Sequence, residues 1–248
     1  FDLSIAGNLK NLQLSKLEMN WPETLSVKGS GIVKDALDID RRLGEAQIEG
    51  EFINLNFITS LFQSASDPSI QIPSLTLLTQ WHLRGPEHQI TLNLDEGKSN
   101  IGLVGMYNEK TEHYAANIMI DSLQIQHFLP HDSLKEFSGV LDLEGKGFNI
   151  QSPLSNGQLN VAIEQFIYGK SQIGQINLFA QWSDALLQAQ LKGDNDIIDF
   201  TADGQYQLDS TIPIGSLDFQ VDRINLLAMG LIKKELRNPV KIAGQAGL

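Results

Sequence analysis

Two histidines, His127 and His131, stand four residues apart with Asp132 beside the second. On a helix this spacing could hold a metal ion. Pro130 lies between the histidines and would break that helix, and no acidic residue follows in the pattern that a zinc peptidase needs. The other three histidines are scattered through predicted strands and turns: His82, His88 and His113. We therefore predict no metal site.

Other candidate motifs are incomplete. Gly169-Lys170-Ser171 ends like a phosphate-binding loop, but the glycine required five residues earlier is Glu164. The acidic cluster at 194–199 lacks the glycine and the terminal glutamate of a calcium loop. No G-x-S-x-G nucleophile elbow is present. Among 30 acidic residues nothing selects one pair for glycoside hydrolysis. We predict a non-enzymatic protein with no cofactor, and an enzyme with unrecognised carboxylates is the least favoured alternative.

The composition excludes several classes of protein. The 248 residues include no cysteine, which excludes a disulfide framework and a thiol nucleophile. The longest nearly unbroken apolar run, 226–232, is far shorter than the roughly 20 residues of a membrane-spanning helix. With 18 basic and 30 acidic residues, the net charge of −12 argues against nucleic acid as a partner.

The elements that would carry any site are β-strands, because the apolar residues repeat with a period of two. The alternation is clearest from Ile176 to Leu208, with breaks at Ser183–Asp184, at 192–196 and at Asp203–Gly204 that predict turns. The polar positions in between are mainly Gln, Asn, Lys, Thr and Asp. This pattern predicts an all-β fold of antiparallel meanders, each with one apolar and one water-facing side.

The apolar side of these strands is the candidate binding surface. The chain has 35 Leu and 25 Ile against 18 aromatic residues, which suits a smooth aliphatic lining, while 36 Gln and Asn residues can coat the wet side without charge. A curved sheet of this kind could form a trough for acyl chains. A sealed sandwich core remains the alternative. The predicted lining residues are Ile90, Leu92, Leu94, Leu159, Val161, Ile163, Ile176, Leu178, Leu187, Leu191, Ile198 and Phe200.

A repeated pattern divides the chain. At 52–62, 118–137 and 217–237 an alternating strand loses its phase, restarts with two apolar residues two apart, and runs into a short helix-like patch. A phase slip requires a bulge or turn. We expect one continuous β-rich segment with short helices at the repeat ends. Its expected repeat-like units are 1–65, 66–137 and 138–237, followed by a tail at 238–248.

The repeats carry a family resemblance. The segments 120–130 (IDSLQIQHFLP) and 221–231 (VDRINLLAMGL) resemble the hydrophobic–Asp–x–Leu–x–Leu–x–x–Leu signature of the AsmA-like superfamily, and 52–61 is a looser copy without the aspartate. The strands at 137–147 and 157–164 are similar to its glycine-bounded alternating strands. Within the superfamily the chain is most similar to a stretch of the TamB branch, the translocation and assembly module.

This resemblance implies a groove-forming, β-taco-like sheet in a periplasmic protein that is anchored to the inner membrane. It implies movement of phospholipid, or of nascent outer-membrane protein strands, between the two membranes, with a BamA-type barrel partner that is met outside this segment. It supplies no catalytic residue. Because Phe1 is not an initiator methionine, we expect a segment of a longer protein. The alternative function is a closed-core structural, adhesive or carbohydrate-binding β domain.

Overall fold

The computed structural model describes residues 1–8, 10–55, 71–130, 133–210, 212, 214–229, 232–234 and 240–247. Their regular structure is a 16-stranded sheet with one four-residue helix. The strands are hydrogen-bonded in chain order, apart from one short strand that pairs beside this path. The predicted all-β class and antiparallel meander are therefore confirmed.

The first of two compact units comprises residues 1–111 and 118–132. Each pair of neighbouring strands from β1 to β7 is antiparallel. The elements are β1 (Asp2–Gly7), β2 (Leu12–Trp21), β3 (Leu25–Lys34), β4 (Leu43–Phe52), β5 (Leu75–Arg84), β6 (Glu87–Glu96), β7 (Ser99–Asn108), β8 (His113–Gln124) from residue 118 onward, and helix α1 (Ile125–Phe128).

The second unit comprises residues 112–117 and 133–248 and begins with the first residues of β8. Its strand pairs are also antiparallel, and the short β11 pairs with β10. The strands are β9 (Leu134–Lys146), β10 (Asn156–Tyr168), β11 (Ser171–Ile173), β12 (Ile176–Ser183), β13 (Leu186–Asp194), β14 (Ile198–Gln207), β15 (Gly215–Ile224) and β16 (Ile242–Gly247).

The predicted turns have mixed outcomes. The break at Ser183–Asp184 is confirmed, because Asp184 and Ala185 have φ angles of 51° and 57° and connect β12 to β13. The turn predicted at 192–196 begins later, since β13 continues to Asp194. The turn predicted at Asp203–Gly204 is wrong, because both residues lie inside β14. Gly204 is a strand position without a side chain, which the sequence pattern alone does not distinguish from a turn glycine.

The phase slips of two repeats correspond to backbone irregularities. Val221 and Arg223 pair with consecutive residues of β14, so Asp222 is the extra residue of a β-bulge. In the second repeat Ser122 has a φ angle of 52° near the end of β8, and α1 follows. Residues 226–229 of the third repeat form a turn. The helix-like patch of the first repeat lies outside the described residues.

Glycines in the second unit make room for aromatic rings. In three cross-strand pairs a β-carbon added to the glycine would overlap the opposite ring: Gly157 with Trp182, Gly193 with Phe200, and Gly244 with Phe219. The missing side chain lets a large ring fit beside the neighbouring backbone. Each glycine is therefore required by its partner in the sheet and not by a turn.

We predict that Gly193→Ala destabilises the second unit by about 1–3 kcal/mol, because the new methyl group must displace the Phe200 ring. The matched control is Gly204→Ala, where the nearest atom would lie 3.6 Å from the new carbon. That variant should change stability by less than about 1 kcal/mol, in either direction. Urea denaturation followed by circular dichroism measures both variants. Equal losses would contradict the register between β13 and β14.

Candidate apolar ligand-binding faces

The second unit brings nine predicted lining residues onto one face of its sheet. Directly paired residues of antiparallel strands share a face, and Leu178 pairs with Val161 on one side and Leu191 on the other. Neighbouring rows of paired residues continue this apolar face onto β9 and, through β15, onto β16. The nine residues are Leu159, Val161, Ile163, Ile176, Leu178, Leu187, Leu191, Ile198 and Phe200.

The first unit has an apolar face of its own. The three predicted residues on β6, namely Ile90, Leu92 and Leu94, alternate along one side of the strand. Leu92 pairs with Leu103, and Leu94 pairs with Ile101. Further rows add aliphatic side chains from β1 to β5, so the face is wider than these three residues.

Both faces are partly accessible to solvent. Ile90 is 38% exposed, and the other eleven predicted lining residues are half-buried. Among the residues that the structure describes, no large side chain is fully buried. A sandwich of two sheets would bury the inner faces of both, so these side chains are less covered than a sandwich core. The buried apolar residues are Leu25, Leu55, Leu83, Ile173, Ala180, Trp182 and Ala185.

The opposite face of the second unit is polar and internally hydrogen-bonded. The Gln158 amide donates to Glu144 across 2.6 Å. The Gln181 amide donates to Gln188 across 2.7 Å, and the Gln205 amide donates to the Ser216 hydroxyl across 3.1 Å. These exposed cross-strand bonds account for many of the amides in the sequence. They also separate a wet side of the sheet from its aliphatic side.

A polar cluster interrupts the apolar face of the first unit at the β5–β6 hairpin. His88 lies two residues before Ile90 on the same side of β6. Trp81 Nε1 donates to His88 Nδ1 across 3.2 Å, and His88 Nε2 donates to Glu109 Oε1. Because an indole N–H can only donate, His88 Nδ1 is the acceptor in the contact with Trp81. The Arg42 guanidinium forms an ion pair with Glu109 at 2.5 Å.

The same contacts control the charge of Glu109. Its pKa lies below the ordinary value of 4.5, first because of the hydrogen bond from His88 and second because of the hydrogen bond from Arg42, with burial acting in the opposite direction. Arg42 also donates from Nε to the Gly85 carbonyl across 2.8 Å. The cluster therefore fastens the β3–β4 connection to the β5–β6 turn. Its formal charges cancel, which does not favour binding of an anion.

A second cluster contains a serine, a carboxylate and a histidine but does not have the geometry of a catalytic triad. His127 Nδ1 contacts Glu96 Oε1 at 2.8 Å, and the Ser99 hydroxyl is placed to donate to Glu96 Oε2 at 3.1 Å. The carboxylate thus lies between the other two groups, whereas a triad needs the histidine beside the nucleophile. Ser99 Oγ also contacts the Ser122 carbonyl at 2.9 Å. The cluster connects α1 to the β6–β7 hairpin.

The remaining sequence candidates supply no binding chemistry in the described residues. Ser171 Oγ donates to the Ala228 carbonyl, and Gly169 occupies a hairpin turn with a φ angle of 61°. His131 and Asp132 lie outside the described residues. In the part of the chain that the structure describes, no three acidic or histidine side chains are grouped closely enough to hold a metal ion.

Sequence reasoning overlooked the cluster around His88. In the sequence His88 is one of the scattered histidines, and nothing there singles out Arg42. The available signal was the alternation itself, because His88 continues the pattern of Ile90, Leu92 and Leu94. Glu109 carried no such signal, since it follows β7 and meets His88 only once the β6–β7 hairpin has formed.

Comparison of the chain with family models, with curated proteins and with solved structures found no match. Within the described ranges, no helix has the length and apolar character needed to cross a membrane. The geometry of the two apolar faces is therefore the main structural guide to function.

We predict that Glu109→Gln lowers the urea midpoint at pH 7. A carboxyl group with a lowered folded-state pKa stabilises the fold above its unfolded pKa, near 4.5, and this contribution is lost as the pH falls through the folded value. The difference in urea midpoint between the parent and the variant should therefore narrow below about pH 4.5. Urea midpoints measured across pH 3–7 test this prediction.

The control is Glu87→Gln, at an exposed position on the opposite side of β6, which should differ less from the parent in urea midpoint. A difference in urea midpoint between the parent and Glu109→Gln that does not change with pH would contradict the role of the ion pair.

Proposed function

We propose that this protein is a non-enzymatic lipid-binding β-sheet protein that holds acyl chains along an apolar sheet face. The observation that carries the proposal is the partly exposed, almost continuous aliphatic face of the second unit. Leu178, Val161 and Leu191 form its middle row. Each acyl methylene removed from water contributes about 0.8 kcal/mol, so binding requires no catalytic residue and no charged group.

The proposed ligand is an acyl chain in preference to an outer-membrane protein strand. A protein strand in an apolar environment must satisfy its backbone N–H and C=O groups. On this face the backbone groups of β10, β12, β13 and β14 are already paired with neighbouring strands. An acyl chain needs only apolar contact, which the face supplies. Outer-membrane protein strands are therefore the second candidate cargo.

We also propose a periplasmic location, with an inner-membrane anchor in a longer protein and a BamA-type barrel as a partner of other parts of it. The support is the resemblance of 120–130 and 221–231 to the AsmA-like signature. The backbone is irregular near the start of both segments, at the third residue of the first (Ser122) and at the second residue of the other (Asp222). Guiding phospholipid between the inner and outer membranes would be the role of such a protein.

A carbohydrate-binding or adhesive module is the alternative, and its platform would require exposed aromatic rings. Trp182 is buried against Gly157, and Trp81 donates its N–H to His88. Trp21 is the one tryptophan that is largely exposed. A single exposed tryptophan gives weaker support than the aliphatic rows give to lipid.

We predict that Leu178→Glu abolishes lipid binding while the protein remains folded, because the carboxylate places a charge in the middle row of the face. Phe179→Glu is the matched control, since Phe179 is the next residue of β12 and lies on the opposite, polar side. Lipid is measured by solvent extraction and mass spectrometry of the purified protein, and folding by circular dichroism. Ile198→Glu should behave like Leu178→Glu.

The proposal fails if the parent protein carries no lipid and binds none when lipid is supplied. It also fails if Leu178→Glu and Phe179→Glu retain the same amount, because binding would then not depend on the aliphatic side of the sheet.

A further inference from the structure

The loop between β9 and β10, residues 147–155, projects apolar side chains into solvent. Leu154 is 82% exposed, Phe148 is 68% exposed and Ile150 is 45% exposed. From 148 to 155 the sequence is FNIQSPLS, which contains no charged residue in a chain with 19% charged residues. Exposed apolar groups at this density mark an interaction surface more often than an ordinary loop.

Hydrogen bonds within the loop hold this arrangement. The backbone N–H of Gln151 donates to Asn149 Oδ1 across 3.2 Å, and the backbone N–H of Ser152 donates to the Asn149 carbonyl across 2.9 Å. The Leu154 amide donates to Ser152 Oγ across 3.3 Å. The side chains of Asn149 and Ser152 are thus held by bonds within the loop, while Phe148, Ile150 and Leu154 are exposed beside them.

The loop also continues the apolar face of the second unit. Phe148 stacks on Tyr114 with ring centroids 5.0 Å apart, and the Tyr114 hydroxyl lies against Gly145. Gly145 pairs with Gly157, which in turn pairs with Trp182 at the end of the aliphatic rows. An apolar path therefore extends from the sheet face to the exposed loop.

We propose that the 147–155 loop inserts into the surface of a zwitterionic lipid bilayer and forms the edge at which acyl chains reach the sheet face. The second half of this proposal rests on the proposed lipid-binding function, whereas the bilayer contact stands on the loop alone. We choose a bilayer over a protein surface because residues 147–155 carry no charge, so their apolar tips can enter the acyl region without removing an ionised group from water. The net charge of −12 disfavours an anionic membrane.

The loop between β3 and β4 provides a matched control. Its Leu37 is 71% exposed, and Ile39 is also exposed. There the apolar residues alternate with charged ones, namely Asp35, Asp38, Asp40, Arg41 and Arg42. Charged groups beside the tip oppose burial in lipid, so this loop should not insert although it also exposes apolar side chains.

The test is co-sedimentation of the purified protein with vesicles of pure phosphatidylcholine. The parent should bind, and the double variant Ile150→Gln/Leu154→Gln should bind at least about tenfold more weakly, because two aliphatic insertions are lost. Leu37→Gln/Ile39→Gln should bind like the parent. Equal binding of the parent and the 150/154 variant, or equal loss in both variants, overturns the proposal.

Binding of a soluble fatty acid, measured on the same proteins, separates this inference from the proposed function. The 150/154 variant should retain fatty-acid binding, whereas Leu178→Glu should lose it. Normal fatty-acid binding with no vesicle binding by the parent overturns the bilayer contact and leaves the sheet-face proposal intact. Vesicle binding through the loop without fatty-acid binding overturns the sheet-face proposal and leaves the bilayer contact intact.

The loop could also be covered by a second copy of this chain. Concentration-dependent self-association that the 150/154 variant abolishes, with no vesicle binding, would show this and would overturn the proposal.

Discussion

The strand register is the constraint on which the other features of each unit depend. Side chains alternate strictly along a strand, so a slip of one residue between two strands would bring a polar row beside an aliphatic one. In the second unit, cross-strand pairs such as Val161 with Leu178 and Leu178 with Leu191 keep the aliphatic residues on one side. The same ladder places Gln181 opposite Gln188 on the other side. Both faces therefore follow from one set of backbone hydrogen bonds.

Local departures from this regularity have identifiable roles. The Asp222 bulge and the left-handed Ser122 mark where the repeated segments leave the sheet. Side-chain clusters attach neighbouring segments at strand ends, with Glu109 contacting Arg42 in one case and Glu96 contacting His127 in another. These contacts position connections at the margins of the first unit's sheet.

The sequence was sufficient to predict the fold class and the side of the sheet on which each candidate residue lies. Period-two alternation needs no tertiary information, so residues such as Leu92 and Leu178 could be assigned from the pattern alone. The pairing of Gly193 with Phe200 could not be predicted, because it depends on the register between two strands. Gly204 was misassigned for a different reason, because a glycine inside a strand and a glycine in a turn have the same local signature.

The polar clusters show a further limit of sequence reasoning. His88 and Glu109 are 21 residues apart and meet through the β6–β7 hairpin, and Arg42 comes from the connection between β3 and β4. No spacing rule joins residues that approach each other through the sheet. The strand β16, at Ile242–Gly247, lies within the predicted tail and was also missed, because its small residues lack an alternating apolar pattern.

The central claim is that an aliphatic sheet face is reachable from solvent and is covered by acyl chains. The chain has no cysteine, so a single cysteine at position 178 or 179 can be followed without background. The decisive measurement is the rate of maleimide labelling at each position with and without a bound fatty acid. The account predicts that position 178 reacts in the free protein and is protected by the fatty acid, while position 179 reacts equally in both. An unreactive position 178 in the free protein, or labelling unchanged by the fatty acid, would contradict the account.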